Sequence, residues 1–232
     1  MTVTVTDNGT GALTDSQALT VTVTDSNDAP IITSNGGGAT GTDSMVENTT
    51  AVTTVMATDA ALSAQMLTYT ITGGADAALF SIDSNTGELS FAVAPDFENP
   101  GDQGDNNDYE VTVTVTDDGT GLLTDSQALT VTVTDGNDAP TAIDISASMI
   151  AENAGEDAVV GTLSAVDEDN PTNGQTHVFA LVAGSGDDDN TSFTIENSQL
   201  KTAENFDFET KASYTIRLRT TDSGTGGLTF DK

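Results

Sequence analysis

The chain has no cysteine, no tryptophan and one histidine, and its five basic residues face 37 acidic ones, for a formal charge of −32 over 232 residues. Each shortage closes a class of function. Without cysteine there is no disulfide framework, no thiolate metal site and no thiol nucleophile. So few basic residues give no grip on a nucleic-acid backbone or an anionic lipid surface, and the acidic surface repels both. Aromatic residues are 5% of the chain, too few to pave a sugar-binding cleft, so the many carboxylates do not read as a glycosidase pair. His177 has no Ser or Cys partner pattern and reads as a surface residue. No constellation supports catalysis, and the chain is not expected to be an enzyme. No apolar run approaches a membrane span. The opening Met-Thr-Val-Thr-Val-Thr-Asp lacks the basic and apolar regions of an export signal, which is expected to lie outside this sequence.

What is present is repetition. Residues 1–30 and 111–140 are identical at 26 of 30 positions. Both copies read T-V-T-V-T-D-x-G-T-G-x-L-T-D-S-Q-A-L-T-V-T-V-T-D-x-N-D-A-P from their second residue onward. Self-similarity at a fixed spacing means an array of like units. Within each copy the alternation of Thr and Val is that of β-strands with one apolar face. Val111, Val113 and Val115 share one side, as do Leu129, Val131 and Val133. The stretch 117–121 between them, Asp-Asp-Gly-Thr-Gly, is turn chemistry. A lone hairpin is marginal, so each pair must complete a larger body.

Further strands are expected at Ser44–Val46, Val52–Ala57, Leu67–Thr72, Phe80–Ile82 and Glu88–Phe91, with a turn at Asn85-Thr-Gly87. The plan then recurs as Val160–Ala165, Val178–Val182, Phe193–Ile195 and Tyr214–Thr220. Seven short strands at such spacing predict a Greek-key sandwich. The fold class is all-β, tandem seven-stranded Greek-key β-sandwiches of cadherin-like or immunoglobulin-like type, end to end. Three stretches follow. Residues 1–30 are the last strands and linker of a truncated repeat, 31–140 a complete repeat, and 141–232 a repeat lacking its last strand. In the first stretch a strand is expected over 18–24.

The acidic residues fall at matching places in these units. Asp25, Asn27 and Asp28 precede Pro30, as Asp135, Asn137 and Asp138 precede Pro140. Glu47 and Glu152 each stand in a Glu-Asn pair. Asp96-Phe-Glu98 recurs as Asp207-Phe-Glu209, Asp167-Glu-Asp169 follows a strand, and Asp117 and Asp222 each end one. Carboxylates crowded at a handover between units repel one another unless a cation sits among them. Calcium takes six to eight such oxygens.

In these five motifs and their order the chain resembles the cadherin repeat family, in its bacterial surface-protein form, with Asp-Phe-Glu standing for the family's Asp-Arg-Glu. The resemblance implies calcium as the cofactor, bound between consecutive repeats. It assigns one joint to Glu47, Asp96 and Glu98, with Asp135, Asn137 and Asp138 from the linker and Asp167, Asp169 and Asp222 downstream, plus the carbonyls of Gly136 and Ala139. A second joint would use Asp25, Asn27, Asp28, Asp59 and Asp117. It departs from the family where Ala61 replaces the second Asp of Asp-x-Asp, so fewer ions or weaker binding are expected there.

The implied function is that of a calcium-binding extracellular segment of a large, membrane-associated surface adhesin or matrix protein, with calcium stiffening the joints for cell–cell or cell–surface adhesion. Other surface proteins or a polysaccharide are the implied partners, with no nucleic acid. Two alternatives stay open: a carbohydrate-binding module, and a filament subunit assembling by strand complementation; self-association, homophilic or by strand exchange, is the matching partner expectation. The insertion Asp102–Asp108 reads as a mobile acidic loop or an extra calcium site. Arg217 and Arg219 read as an exposed stripe on one strand.

Overall fold

The computed structural model describes residues 1–60, 65–169 and 174–232. The first pair of strands is β1 (Thr2–Thr6) with β2 (Thr14–Ala18). Next come β3 (Ile31–Ile32), β4 (Thr40–Val46), β5 (Ala51–Thr54), β6 (Ala57–Thr58), β7 (Thr68–Gly73), β8 (Phe80–Ile82), β9 (Glu88–Phe91), β10 (Asp108–Thr116) and β11 (Thr124–Thr134). The last group is β12 (Ala142–Ile145), β13 (Val159–Val166), β14 (His177–Leu181), β15 (Phe193–Glu196), β16 (Gln199–Thr202), β17 (Leu218–Asp222) and β18 (Thr229–Asp231). The sheets run β4-β11-β10-β7, β5-β9-β8 and β3-β6, then β12-β13-β16-β15 and β14-β17-β18. The chain divides into two compact units. One holds Met1–Asp43, Ala51–Val93 and Tyr109–Thr132; the other holds Ser44–Thr50, Ala94–Asp108 and Val133–Lys232.

The first unit owes its core to the Thr-Val alternation. Val111, Val113 and Val115 of β10 and Leu129 and Val131 of β11 are buried, while the intervening Thr residues face outward. Phe80, Phe91 and Tyr109 close one end of this core, with ring centroids 4.3 Å apart for the Phe pair and an edge-on contact of 4.9 Å from Phe91 to Tyr109. The expected strand Val52–Ala57 is split in two. β5 pairs with β9 and β6 with β3, so the chain changes sheets at Val55 and Met56. The Val55 N–H donates to Gly87 O there, and Met56 O accepts from Thr33 N.

Gly87 is fixed by this exchange. Its φ is +74°, and a Cβ would lie 2.2 Å from Val55 O. Gly87→Ala is expected to destabilise the first unit by ~3 kcal/mol or more, since strain at positive φ and a backbone clash combine. Thermal unfolding followed by circular dichroism checks this, and a melting temperature unchanged from the parent would refute it.

Near-identical sequence does not give identical structure. β11 runs from Thr124 to Thr134, flanked on one side by β10 and on the other by β4. Its counterpart β2 stops at Ala18, and residues 19–24 are not a strand, contrary to the expected strand over 18–24. β2 pairs only with β1. Beyond Ala18, Leu19 bonds to Met1, and residues 20–24 make no hydrogen bond among the described residues. All residues of β1 and β2 are exposed.

The second unit centres on Ile143, Leu163 and Leu218, with Ile145, Phe179, Leu181, Ile195, Ile216 and Phe230 packed around them. Phe193, Phe206 and Tyr214 form a ring group like that of the first unit. β17 is shorter than the expected Tyr214–Thr220. Thr215 N donates to Asp189 Oδ2 and Arg217 N to Asn190 Oδ1, so side chains replace a strand partner along that edge. Arg217 and Arg219 both pair with Asp231 of β18. They bind two strands together, and the carboxyl of Asp231 is held down to about 2 by the hydrogen bonds of Arg219 and Arg217, against burial, which raises it.

Candidate metal centre

Four segments of the second unit converge on one acidic site. They are the residues after β4, the loop after β9, the linker after β11 and the residues after β13. The Glu-Asn pair explains how the first of them turns. Asn48 adopts φ +60°, a left-handed conformation that Asn tolerates better than most residues. Its N–H donates to Pro95 O at 2.9 Å, and its side-chain Nδ2 donates to Asp138 Oδ1 at 3.0 Å. Glu47 is thereby directed inward and is 2% exposed. Its Oε2 accepts from Phe97 N at 2.6 Å and its Oε1 from Gly136 N at 2.9 Å.

The insertion Asp102–Asp108 folds around Asp102 and reaches this site through Asn107. Asp102 is buried, and its carboxylate accepts from the N–H groups of Gly104, Asn106 and Asn107. Asn107 Nδ2 in turn donates to Phe97 O at 2.9 Å, fixing the peptide between Asp96 and Glu98.

Three sets of acidic residues place carboxylate oxygens within 4.8 Å of one another: Glu47 with Asp96 and Glu98, Glu98 with Asp135 and Asp169, and Glu98 with Asp138 and Glu168. Glu98 belongs to all three. Both its carboxylate oxygens are shielded from solvent, and neither receives a hydrogen bond from another described residue. Burial, then the charge of Glu47, then those of Asp135 and Asp169 push its carboxyl up to about 7. Glu47 is raised by burial, against the two N–H groups it accepts, and by Asp138 and Asp96. Asp138 is raised by burial and by Asp169 and Glu168. The donors are all oxygens, so the cation they suit is a hard one such as calcium.

Other residues expected at this joint are engaged elsewhere. Asp167 Oδ2 lies 2.7 Å from His177 Nε2, and its Oδ1 accepts from Asp169 N at 3.2 Å. It is not in any of the three sets. His177, expected on the surface, is buried in this pair with its side chain 7% exposed. Glu168, which sequence reasoning passed over, joins a set in its place. Asp169 is fully buried and accepts from Asp138 N through Oδ2 at 2.8 Å. Asp222 staples a turn, accepting from Gly224 N and Leu228 N. Asn137 donates to the Asp222 carboxylate and to Thr225 O, and accepts from Gln175 Nε2 at 2.8 Å. A Cβ on Gly224 would fall 1.6 Å from Asn137 Oδ1, so the linker asparagine fits only against glycine. The recurrence of Gly two residues after both Asp117 and Asp222 was the available signal. Gly136 acts through its N–H to Glu47, and Ala139 is exposed.

With this geometry in view, the sequence matches the family described as Cadherin domain over residues 44–134 and 147–230. The chain belongs to the cadherin domain family. It is 33% identical over 162 residues to human Protocadherin Fat 1, covering 68% of this chain and 3% of that protein. It is 32% identical over 187 residues to mouse Cadherin-23, covering 78% of this chain and 5% of that one. The chain thus spans only a small part of these relatives. Among solved structures, the Protocadherin GammaB4 extracellular domain superposes with a TM-score of 0.61 at 24% identity, covering 100% of this chain and 35% of that one. Human Protocadherin-24 EC1-2 gives 0.54 at 22%, covering 89% and 93%. These structural likenesses speak for the fold. Cadherin repeats are non-enzymatic extracellular segments that typically bind calcium and mediate adhesion.

In this cadherin segment the other joint is built differently. Asn27 repeats the part of Asn137: it donates to Asp117 Oδ2 at 3.0 Å and to Thr120 O, and it accepts from Gln65 Nε2. Asp117 caps its turn through Gly119 N and Leu123 N. Asp25 and Asp28 are exposed, and no three acids that include Asp25, Asp28, Asp59 or Asp117 bring oxygens within 4.8 Å among the described residues. Ala61 lies outside the described residues. Glu152, Asp207 and Glu209 form a further, exposed set, with Phe208 N donating to Glu152 Oε2 as Phe97 N does to Glu47.

Proposed function

We propose that the chain is a calcium-loaded segment of a long extracellular adhesin, and that calcium held by Glu47, Asp96, Glu98, Asp135, Asp138, Glu168 and Asp169 stiffens the joint between its cadherin repeats. The observation that carries this reading is Glu98, a shielded carboxylate with no donor from another described residue, surrounded by carboxylates on every side. A cation resolves both problems at once. Asn137, Asp167 and Asp222 shape the site around that set, and the joint built on Asp25, Asn27, Asp28, Asp59 and Asp117 binds more weakly or with fewer ions. The partners on the adhesive side are other surface proteins or a polysaccharide. A bacterial cell surface is part of the same proposal; the relatives above are mammalian and lend it nothing.

Metal that binds only the folded form stabilises it by mass action, ~2.7 kcal/mol at a hundred times the Kd. A chelator is therefore expected to lower the melting temperature by several degrees, and calcium to restore it. Small-angle scattering is expected to broaden in chelator as the joint loosens. A melting curve and a scattering profile that are the same with and without calcium would overturn the proposal.

A further inference from the structure

His177 is the one histidine of the chain, and its ring is committed to a carboxylate beside the metal centre. Its Nε2 lies 2.7 Å from Asp167 Oδ2, with side-chain exposures of 7% and 0%. A carboxylate accepts and does not donate, so the ring N–H is the donor. A short bond to a carboxylate, shut away from water, is among the stronger hydrogen bonds a protein makes. The other oxygen, Oδ1, accepts from Asp169 N at 3.2 Å. Asp167 therefore stands beside the oxygen sets, tied to the backbone of Asp169, with both its oxygens engaged. The neighbouring acid that does enter a set, Glu168, is exposed.

The fold does not require histidine at this position. In the second unit Phe179 pairs with Thr220, Val178 with Thr221 and His177 with Asp222. In the first unit Tyr69 pairs with Val115 and Thr68 with Thr116. The residue at the place of His177 there is Leu67.

We infer that His177 is an affinity-setting residue: by holding the Asp167 carboxylate it keeps a buried acid out of the calcium shell, and the joint binds calcium more weakly than its own acids allow. A hydrogen-bond donor and a cation compete for the same oxygen lone pairs. A buried bond must be broken before that oxygen can turn to an ion. The inference rests on the calcium reading proposed above and adds to it a positioning residue that is not itself a ligand.

His177→Leu tests it, leucine being the residue the first unit holds there. Asp167 then loses its donor in a buried place, so the melting temperature in chelator is expected to fall by several degrees. Calcium affinity, read by isothermal titration, is expected to rise about tenfold as one more charged oxygen joins the shell. A merely structural role would lower both. The rise is expected to vanish when His177→Leu is combined with Asp167→Asn. His177→Gln, which keeps an N–H donor, is expected to fall short of it. In the parent, long-range proton–nitrogen correlation spectra of the single imidazole are expected to show Nε2 protonated and bonded both before and after calcium is added. A His177→Leu variant that binds calcium no more tightly than the parent overturns the inference. So does a gain that persists without the Asp167 carboxylate, an equal gain from His177→Gln, or a parent ring released from its bond when calcium enters. A parent that takes up no calcium in the same titration overturns the calcium reading, and this inference with it.

Discussion

Glu98→Gln is expected to weaken calcium binding about a hundredfold and at the same time to raise the melting temperature of the calcium-free protein. The two effects have one cause. Glu98 stands in all three oxygen sets beside the described residues' other acids, so replacing it by glutamine removes a charged ligand from each. Calcium affinity in oxygen sites is set largely by the number of charged ligands. Without the ion that same charge is unfavourable, being shielded from water and surrounded by Glu47, Asp135 and Asp169. Glutamine keeps the shape and drops the repulsion. A gain of ~1 kcal/mol would appear as ~2–4 °C in a chain of this size. Isothermal titration with calcium and melting curves in chelator measure both arms. If the variant binds calcium like the parent, or melts lower without it, Glu98 is not the hub of the site.

The second large effect is in pH. The carboxyl of Glu98 titrates at about 7 in the folded chain against an ordinary value of 4.5. The folded form therefore holds this proton more tightly than the unfolded form does. Its contribution to calcium-free stability is greatest below the ordinary value and falls as pH rises from there through about 7. Calcium binding runs the other way, since it requires the ionised carboxylate. Affinity is expected to fall about tenfold for each unit below pH 7, through this one proton. Glu47 and Asp138, both also raised, steepen the loss in acid. Titrations at several pH values, with proton release read from the buffer dependence of the heat, test this. An affinity level between pH 5 and pH 8 would refute it.

Much of this site was legible because its motifs recur. Glu47 with Asn48, Asp96 with Glu98, and Asp135 through Asp138 each have a counterpart elsewhere in the chain, and all but Asn137 enter or touch the oxygen sets. What recurrence leaves open is which of several neighbouring acids faces the site. Asp167 and Glu168 are adjacent, and the choice between them depends on His177, ten residues away, which takes the Asp167 carboxylate. The part of Gly224 was hidden for a similar reason, since it is defined by the space that Asn137 occupies. The strands were legible from Thr-Val alternation, as in β10. Alternation cannot say how far a strand runs, because length depends on partners. β2 and β11 share their sequence from Thr14 to Thr24 and from Thr124 to Thr134, yet one has five residues and the other eleven.

The convergence on Glu98 has a topological meaning. Glu47 and Asp169 stand 169 − 47 = 122 residues apart, and the groups around Glu98 bring both ends of that span to one place. A bound ion there would act as a cross-link, closing a long loop in a chain that has no cysteine to close one covalently. In the chain-entropy account, a permanent closure of ~100 residues is worth about 4–5 kcal/mol. A metal cross-link gives part of this only while the ion is present. The fastening of this protein would then be set by the calcium of its surroundings and would come undone, without breaking a bond, wherever calcium is scarce.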